Sequence, residues 1–154
     1  MEVMDQITTP RAGQLPSGWT WKTMADIADV VGGGTPKTDD PSNYEGGKIP
    51  WITPADLSGY PSKYISHGER FITEKGLKDS SARMMPAGTI LFSSRAPVGY
   101  VAIASNSVCT NQGFKSFVLK GDDVLPDYVY WWLKGNKELA ESMASGTTFL
   151  ELSG

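Results

Sequence analysis

Short apolar runs separated by glycine and proline dominate this chain, a pattern of brief strands rather than long amphipathic helices. Trp19-Thr20-Trp21 alternates directly after the turn residues Leu15-Pro16-Ser17-Gly18 and predicts a strand near 19–22. Further strands are predicted near 49–53, 89–94, 99–104 and 113–119. Thr89-Ile90-Leu91-Phe92 is an apolar run of the kind buried strands show, whereas Gly113-Phe114-Lys115-Ser116-Phe117-Val118-Leu119 alternates cleanly. Asp26 caps a short turn ahead of Val30-Val31, and Thr53-Pro54-Ala55-Asp56-Leu57 reads as a turn or a single helical turn. Thr73 is placed to N-cap a short helix over Glu74-Lys75-Gly76-Leu77-Lys78. The one long helix is predicted from Pro126 to about Ser145, because proline suits a first turn and Asp127 complements the helix dipole. Its apolar stripe is Val129, Trp132, Leu133, Leu139, Ala140 and Met143, interrupted at Gly135-Asn136. Residues 35–48 read as a long surface loop and residues 1–14, polar and aperiodic, as a disordered tail. The expected fold is α+β: a twisted, mixed or antiparallel sheet with peripheral helices, in one domain over residues 15–154.

Composition narrows the class. With 154 residues, 40% hydrophobic and 20% charged, the chain suits one globular domain. Its 17 glycines and 10 prolines agree with the frequent turns. Cys109 is the single cysteine, which excludes an internal disulfide and a multi-cysteine metal site and fits a reducing cytoplasm. Met1 to Gln14 lacks the apolar core of a signal peptide, and Val98 to Ala104 is too short to cross a bilayer, so no membrane role is expected. The formal charge is −3, from 14 basic and 17 acidic residues. That balance argues mildly against nucleic acid, because phosphate neutralisation supplies most non-specific affinity.

Catalytic patterns are nearly missing. Gly32-Gly33-Gly34-Thr35-Pro36-Lys37-Thr38 invites a phosphate-loop reading, but Pro36 and Val31 stand where that pattern needs glycine. A glycine-rich turn leaving a strand is the better account, with Lys37 and Thr38 available to phosphate as ordinary side chains. His67 is the only histidine and lies beside a turn glycine, without triad or zinc partners. Cys109, on an apolar segment, reads as a packing residue. No metal or cofactor is called for.

Three segments instead gather hydroxyls, amides and cations at strand ends. They are Ser93-Ser94-Arg95, Thr110-Asn111-Gln112 with Lys115, and Ser145-Gly146-Thr147-Thr148. Such side chains bond phosphate oxygens and base edges. They also cap turns, and residue by residue the two roles are equally open. Arg95 is the foremost candidate, since a guanidinium following a buried strand needs a partner.

At these residues the chain resembles the recognition domains of type I restriction–modification specificity subunits. The resemblance is carried by Leu15-Pro16-Ser17-Gly18-Trp19, Gly33-Gly34-Thr35-Pro36 and Ile49-Pro50-Trp51-Ile52-Thr53-Pro54-Ala55-Asp56-Leu57. Gly88 to Tyr100, Thr110-Asn111-Gln112-Gly113-Phe114 and Ser145-Gly146-Thr147-Thr148-Phe149 continue it in order from about Leu15 to Gly154. It implies a non-catalytic reader of one half of a split target in double-stranded DNA. Methyltransferase subunits would carry the transfer of methyl from S-adenosylmethionine, and a nuclease–translocase subunit would carry restriction. It implies, too, a chain that stops short of the family's spacer helix and second recognition domain. The DNA-contact candidates are Arg95, then Lys37 and Lys115, with Thr38, Ser93, Ser94, Asn111, Gln112, Lys63, Tyr64 and Thr147. Partner subunits that bind phosphate would also account for a slightly acidic reader. The rival reading is a carbohydrate-binding or other interaction module stacking ligand on Trp19, Trp21, Trp51, Trp131 and Trp132; core packing of Trp132 argues against it.

Overall fold

The computed structural model describes residues 15–95 and 97–138. The expected tail at 1–14, the helical continuation through Leu139, Ala140, Met143 and Ser145, and Thr147 lie outside the described residues. In chain order the elements are α1 (Met24–Ile27), β1 (Ala28–Val31), a 3-10 turn (Pro41–Asn43), β2 (Ile49–Ile52), α2 (Pro54–Leu57), β3 (Tyr64–Ile65) and β4 (Arg70–Ile72). They continue with α3 (Glu74–Lys78), β5 (Ile90–Phe92), β6 (Val101–Ala104), β7 (Cys109–Thr110), β8 (Ser116–Leu119) and α4 (Pro126–Gly135).

Two sheets form instead of the one expected. The larger runs β1-β8-β5-β6-β3 and the smaller β4-β2-β7. Pairing is antiparallel except for β3 with β6 and β2 with β7, which are parallel. The fold class is therefore α+β with mixed sheets, as expected. The strands that escaped sequence reading, β3, β4 and β7, are two or three residues long, too short for alternation to register.

Alternation across the pleat assigns the core. Successive strand residues point to opposite faces. Leu91, Ala102 and Ala104 accordingly meet Ile52, Leu57, Ile65, Met85, Val108 and Phe114 between the sheets. Ile90, Phe92, Val101 and Ile103 face the other way, where Val129, Tyr130 and Leu133 of α4 cover them. Because β5 and β6 are buried on both faces, their sequence is uniformly apolar. A third cluster, Trp51, Ile72, Ala82 and Cys109, closes the small sheet.

Two expectations are corrected. Trp19 to Lys22 is not a strand, and Trp19 and Trp21 stand 57% and 63% exposed. The place beside β8 is taken by β1, with Ala28 opposite Leu119 and Val31 opposite Ser116. A capping box intervenes: Asp26 N–H donates to Thr23 Oγ1 at 3.2 Å, and Thr23 N–H to the Asp26 carboxylate at 2.9 Å. Trp132 is not a core residue. It is 46% exposed, while Tyr130 is 5% exposed and packs on the sheet. At about 100° per residue the buried arc runs from Val129 through Leu133 to Tyr130, leaving Trp132 about 60° outside it. The stripe assumed a helix continuing past Gly135, but Asn136 is its C-cap, donating N–H to the Leu133 and Trp132 carbonyls. The interruption expected at Gly135-Asn136 is real, and the stripe residues beyond it lie outside the described residues.

The other helix signals hold. Thr73 Oγ1 accepts from Gly76 N–H at 3.1 Å at the start of α3, and Pro126 opens α4. Thr53 to Leu57 is a single helical turn closed by a Thr53–Asp56 capping box. No helix of the described residues is long and apolar enough to cross a membrane.

Candidate functional site

The glycine-rich loop after β1 folds across the ends of β2 and β7. Gly34 N–H donates to the Thr110 carbonyl at 3.0 Å, and Asn111 N–H to the Ile52 carbonyl at 3.0 Å. The approach requires glycine: a Cβ on Gly33 would overlap the Thr110 and Asn111 carbonyl oxygens and Thr110 Oγ1. The loop is fastened twice more, by Trp51 Nε1 donating to the Gly34 carbonyl at 2.9 Å and Tyr44 Oη to the Pro36 carbonyl at 2.6 Å. Thr35, exposed, then donates its hydroxyl to the Gln112 side-chain carbonyl across the chain.

The Ser93-Ser94-Arg95 segment joins the same rim. Ser94 N–H donates to the Gly113 carbonyl at 2.9 Å, Ser93 pairs with Phe114, and Lys115 N–H reaches the Phe92 carbonyl at 2.9 Å. The ends of β1, β2, β5 and β7 and the approach to β8 thus converge, and they bring Thr35, Ser93, Ser94, Arg95, Asn111, Gln112 and Lys115 into one neighbourhood, from which Lys37 and Thr38 lead on toward the 3-10 turn. Within it the roles divide. Ser93 is fully buried; its Oγ accepts from Tyr100 N–H and donates to the Pro97 carbonyl, both at 2.8 Å. Asn111 Oδ1 accepts from Gly113 N–H at 2.9 Å and shapes the turn. These two side chains build the rim rather than project from it. Ser94 is also buried, and its hydroxyl has no hydrogen-bond partner among the described residues. Lys37, Thr38 and Gln112 are exposed, and Arg95 and Lys115 are half-buried.

Lys63 and Tyr64 lie elsewhere, on β3 and its approach. Lys63 Nζ bonds the Asp127 carboxylate at 2.7 Å, and Tyr64 Oη donates to the same group at 3.0 Å. The carboxylate raises the lysine's pKa, and the lysine is the main cause that lowers the aspartate's. Both side chains are committed to tying β3 to the start of α4.

The loop at 35–48 is more ordered in its contacts than its composition implies. Asp40 caps the 3-10 turn through Ser42, and Asn43 Nδ2 donates to the Lys37 carbonyl at 3.0 Å. Hydrogen bonds from Ser42, and then from Lys75, hold the Asp40 carboxyl at about 2. Cys109 is buried, and desolvation pushes its thiol up to about 12, which suits a packing residue and not a nucleophile. Among the described residues no three His, Cys, Asp or Glu side chains could share a metal ion.

Sequence reasoning missed Thr35 and Arg70. The Arg70 guanidinium carbon lies 4.8 Å from the Tyr44 ring centre and 4.9 Å from that of Trp51. No local pattern announces this, because three separate segments meet there.

Comparison with known proteins adds to this geometry. The family model for the type I restriction modification DNA specificity domain matches residues 16–154. The chain belongs to that family. It is 49% identical over 144 residues to the type I restriction enzyme MjaIX specificity subunit of Methanocaldococcus jannaschii, covering 92% of this chain and 33% of the relative. It is 29% identical over 130 residues to the EcoR124I/EcoR124II specificity subunit of Escherichia coli, covering 82% of this chain and 30% of the relative. The domain therefore spans about a third of the length of these curated relatives. The HsdS subunit from Thermoanaerobacter tengcongensis superposes with a TM-score of 0.65 at 23% identity, over 98% of this chain and 38% of that one. A chain from a type I restriction–modification assembly gives 0.68 at 22% identity, over 99% and 35%. These solved structures share the fold. Family membership also sets aside the carbohydrate reading, although exposed Trp132 no longer argues against it. Trp51, by contrast, is a buried strut.

Proposed function

We propose that the domain reads one half of a bipartite DNA target for a type I restriction–modification complex working in the cytoplasm, and carries no catalysis or methyl-donor site of its own. The observation that carries this reading is the family match over nearly the whole chain, centred on segments that converge on one rim. On that rim Arg95, Lys37 and Lys115 supply charge, while Thr35, Thr38 and Gln112 supply hydrogen-bonding groups for phosphate oxygens and base edges. Ser93 and Asn111 position the backbone beneath them. Methyl transfer and cleavage belong to partner subunits, which add most of the phosphate contact. The isolated domain is then a weak binder, in the range of about 10⁻⁴–10⁻⁶ M typical of non-specific contact.

A domain exchange tests the proposal. Residues 16–154 replace the matching third of the Methanocaldococcus relative, which is assembled with its own methyltransferase subunit. Genome-wide mapping of adenine methylation should show one half of the modified sequence changed and the other retained. An unchanged methylation sequence from an active complex refutes it.

A further inference from the structure

We infer that Arg70 is a phosphate-contact residue, presented by an aromatic corner and fixing where the DNA backbone lies against the small sheet. The inference rests on the DNA-reading proposal and extends it to a residue outside the strand-end segments. The corner is built from Tyr44 and Trp51, whose ring centres are 6.2 Å apart with planes at 72°. Arg70 sits opposite Trp51 in the β2–β4 register, and its guanidinium lies against both rings at 4.8 and 4.9 Å. Each ring is pinned at its polar end to the glycine-rich loop, through the Pro36 and Gly34 carbonyls. The loop that carries Thr35 and Lys37 and the platform that carries Arg70 are one rigid unit.

The charge is left for a ligand. Arg70 is exposed and makes no ion pair among the described residues, whereas Lys63, Lys75 and Lys120 each hold an aspartate. With its carbon close to two rings whose planes stand at 72°, the guanidinium is seated in the corner they form, and its N–H groups, which make no hydrogen bond among the described residues, are left for a planar or tetrahedral anion. Stacking also removes rotamer freedom before binding, so less entropy is lost when the contact forms. Phosphate fits better than a base edge, because the side chain is held down on a strand instead of projecting from a loop tip. Contacts of this kind set register and carry no sequence information.

The test uses the chain with two labelled duplexes of unrelated sequence, measured by fluorescence anisotropy over a salt series. Arg70→Gln should weaken binding to both alike and reduce the slope of log affinity against log salt by about one. Over a roughly fourfold rise in salt, the variant then loses about 3.5-fold less affinity than the wild type. Arg70→Lys keeps the charge and should keep the slope, while binding more weakly than wild type at every salt concentration because it neither stacks nor forks. Thermal melting of both variants separates lost folding from lost contact. A folded Arg70→Gln with the wild-type slope overturns the inference and leaves the DNA reading intact. A loss confined to one duplex makes Arg70 a base reader and overturns the phosphate assignment. A wild-type chain that binds neither duplex at low salt overturns the DNA reading itself.

Discussion

Adding one methyl group at Gly33 should damage the rim, whereas adding one at Gly32 should not. A Cβ on Gly33 meets two backbone carbonyls of β7 and its exit, atoms that cannot swing aside as a flexible side chain would. Relief requires the loop to lift, and the first bonds to stretch are Gly34 N–H to the Thr110 carbonyl and Trp51 Nε1–H to the Gly34 carbonyl. Overpacking costs about 1–3 kcal/mol. Losing the backbone bond costs about 1 kcal/mol net, and leaving the buried indole N–H unpaired about 1–3 kcal/mol. The collision and the broken bonds are alternatives in part, since lifting the loop relieves the overlap, so Gly33→Ala should destabilise by about 2–4 kcal/mol. A Cβ on Gly32 meets nothing within 4 Å and the residue is not in the left-handed region, so Gly32→Ala should be neutral or stabilising by up to about 1 kcal/mol. Urea unfolding reads both as midpoint shifts at constant slope. The Trp51 indole N–H resonance should move and exchange faster in the Gly33 variant only. Equal midpoints for the two variants would refute the close-approach argument.

Tyr130→Ala should cost about 3–5 kcal/mol in the same assay, as large aromatic core truncations do, and Trp132→Ala clearly less; the reverse order would restore the sequence-based stripe. Cys109 should resist alkylation at neutral pH in the native protein and react once urea unfolds it, because burial holds the thiol protonated. Its raised folded pKa also means that stability falls as pH rises above the thiol's ordinary value of 9.0 toward about 12. For Asp40 the sign is opposite: a carboxyl held at about 2 contributes stability above its ordinary value of 3.8, lost as pH falls through about 2. Asp40→Asn should flatten that acid limb of a pH–stability curve, and an unaltered limb would show that the cap and Lys75 add nothing.

The parts of the fold legible from sequence are those fixed by neighbours in the chain. Buried β5 and β6 announce themselves because both faces demand apolar residues, and Thr73 and Pro126 mark helix starts through bonds spanning three or four residues. Long-range competition erased the rest. Trp19-Thr20-Trp21 has the alternation of a strand, yet the place beside β8 belongs to Ala28–Val31. Trp132 has the spacing of a core residue, yet the sheet takes Val129, Tyr130 and Leu133 and leaves it outside the buried arc. The candidate site divides on the same line. Ser93 and Asn111 were ambiguous between ligand contact and turn capping, and their hydrogen bonds place them in the capping role. Lys63 and Tyr64 read from sequence as DNA-contact candidates, and nothing local to them announces Asp127, distant in sequence, which both bond. Arg70 drew no notice because its platform comes from Tyr44 and Trp51 on other segments.

The acidic net charge loses its force once charges are placed. Electrostatic influence at exposed sites decays over about 8–10 Å at physiological salt, so a phosphate on the rim responds to nearby groups and not to the chain total. Ion pairs neutralise Lys63 with Asp127, Lys75 with Asp40 and Asp79, and Lys120 with Asp29. None of these pairs involves Lys37, Arg70 or Lys115, which make no ion pair among the described residues. Lys63, Lys75 and Lys120 tie α4, α3 and β1 to their neighbours, while Lys37 lies on the glycine-rich loop, Arg70 against the rings bonded to it and Lys115 at the approach to β8. A count of −3 cannot distinguish those two populations. On the proposed DNA-reading role, cations placed at one rim of an acidic chain would favour orientation over affinity. Such an arrangement would suit the proposed reader, with partner subunits gripping the duplex.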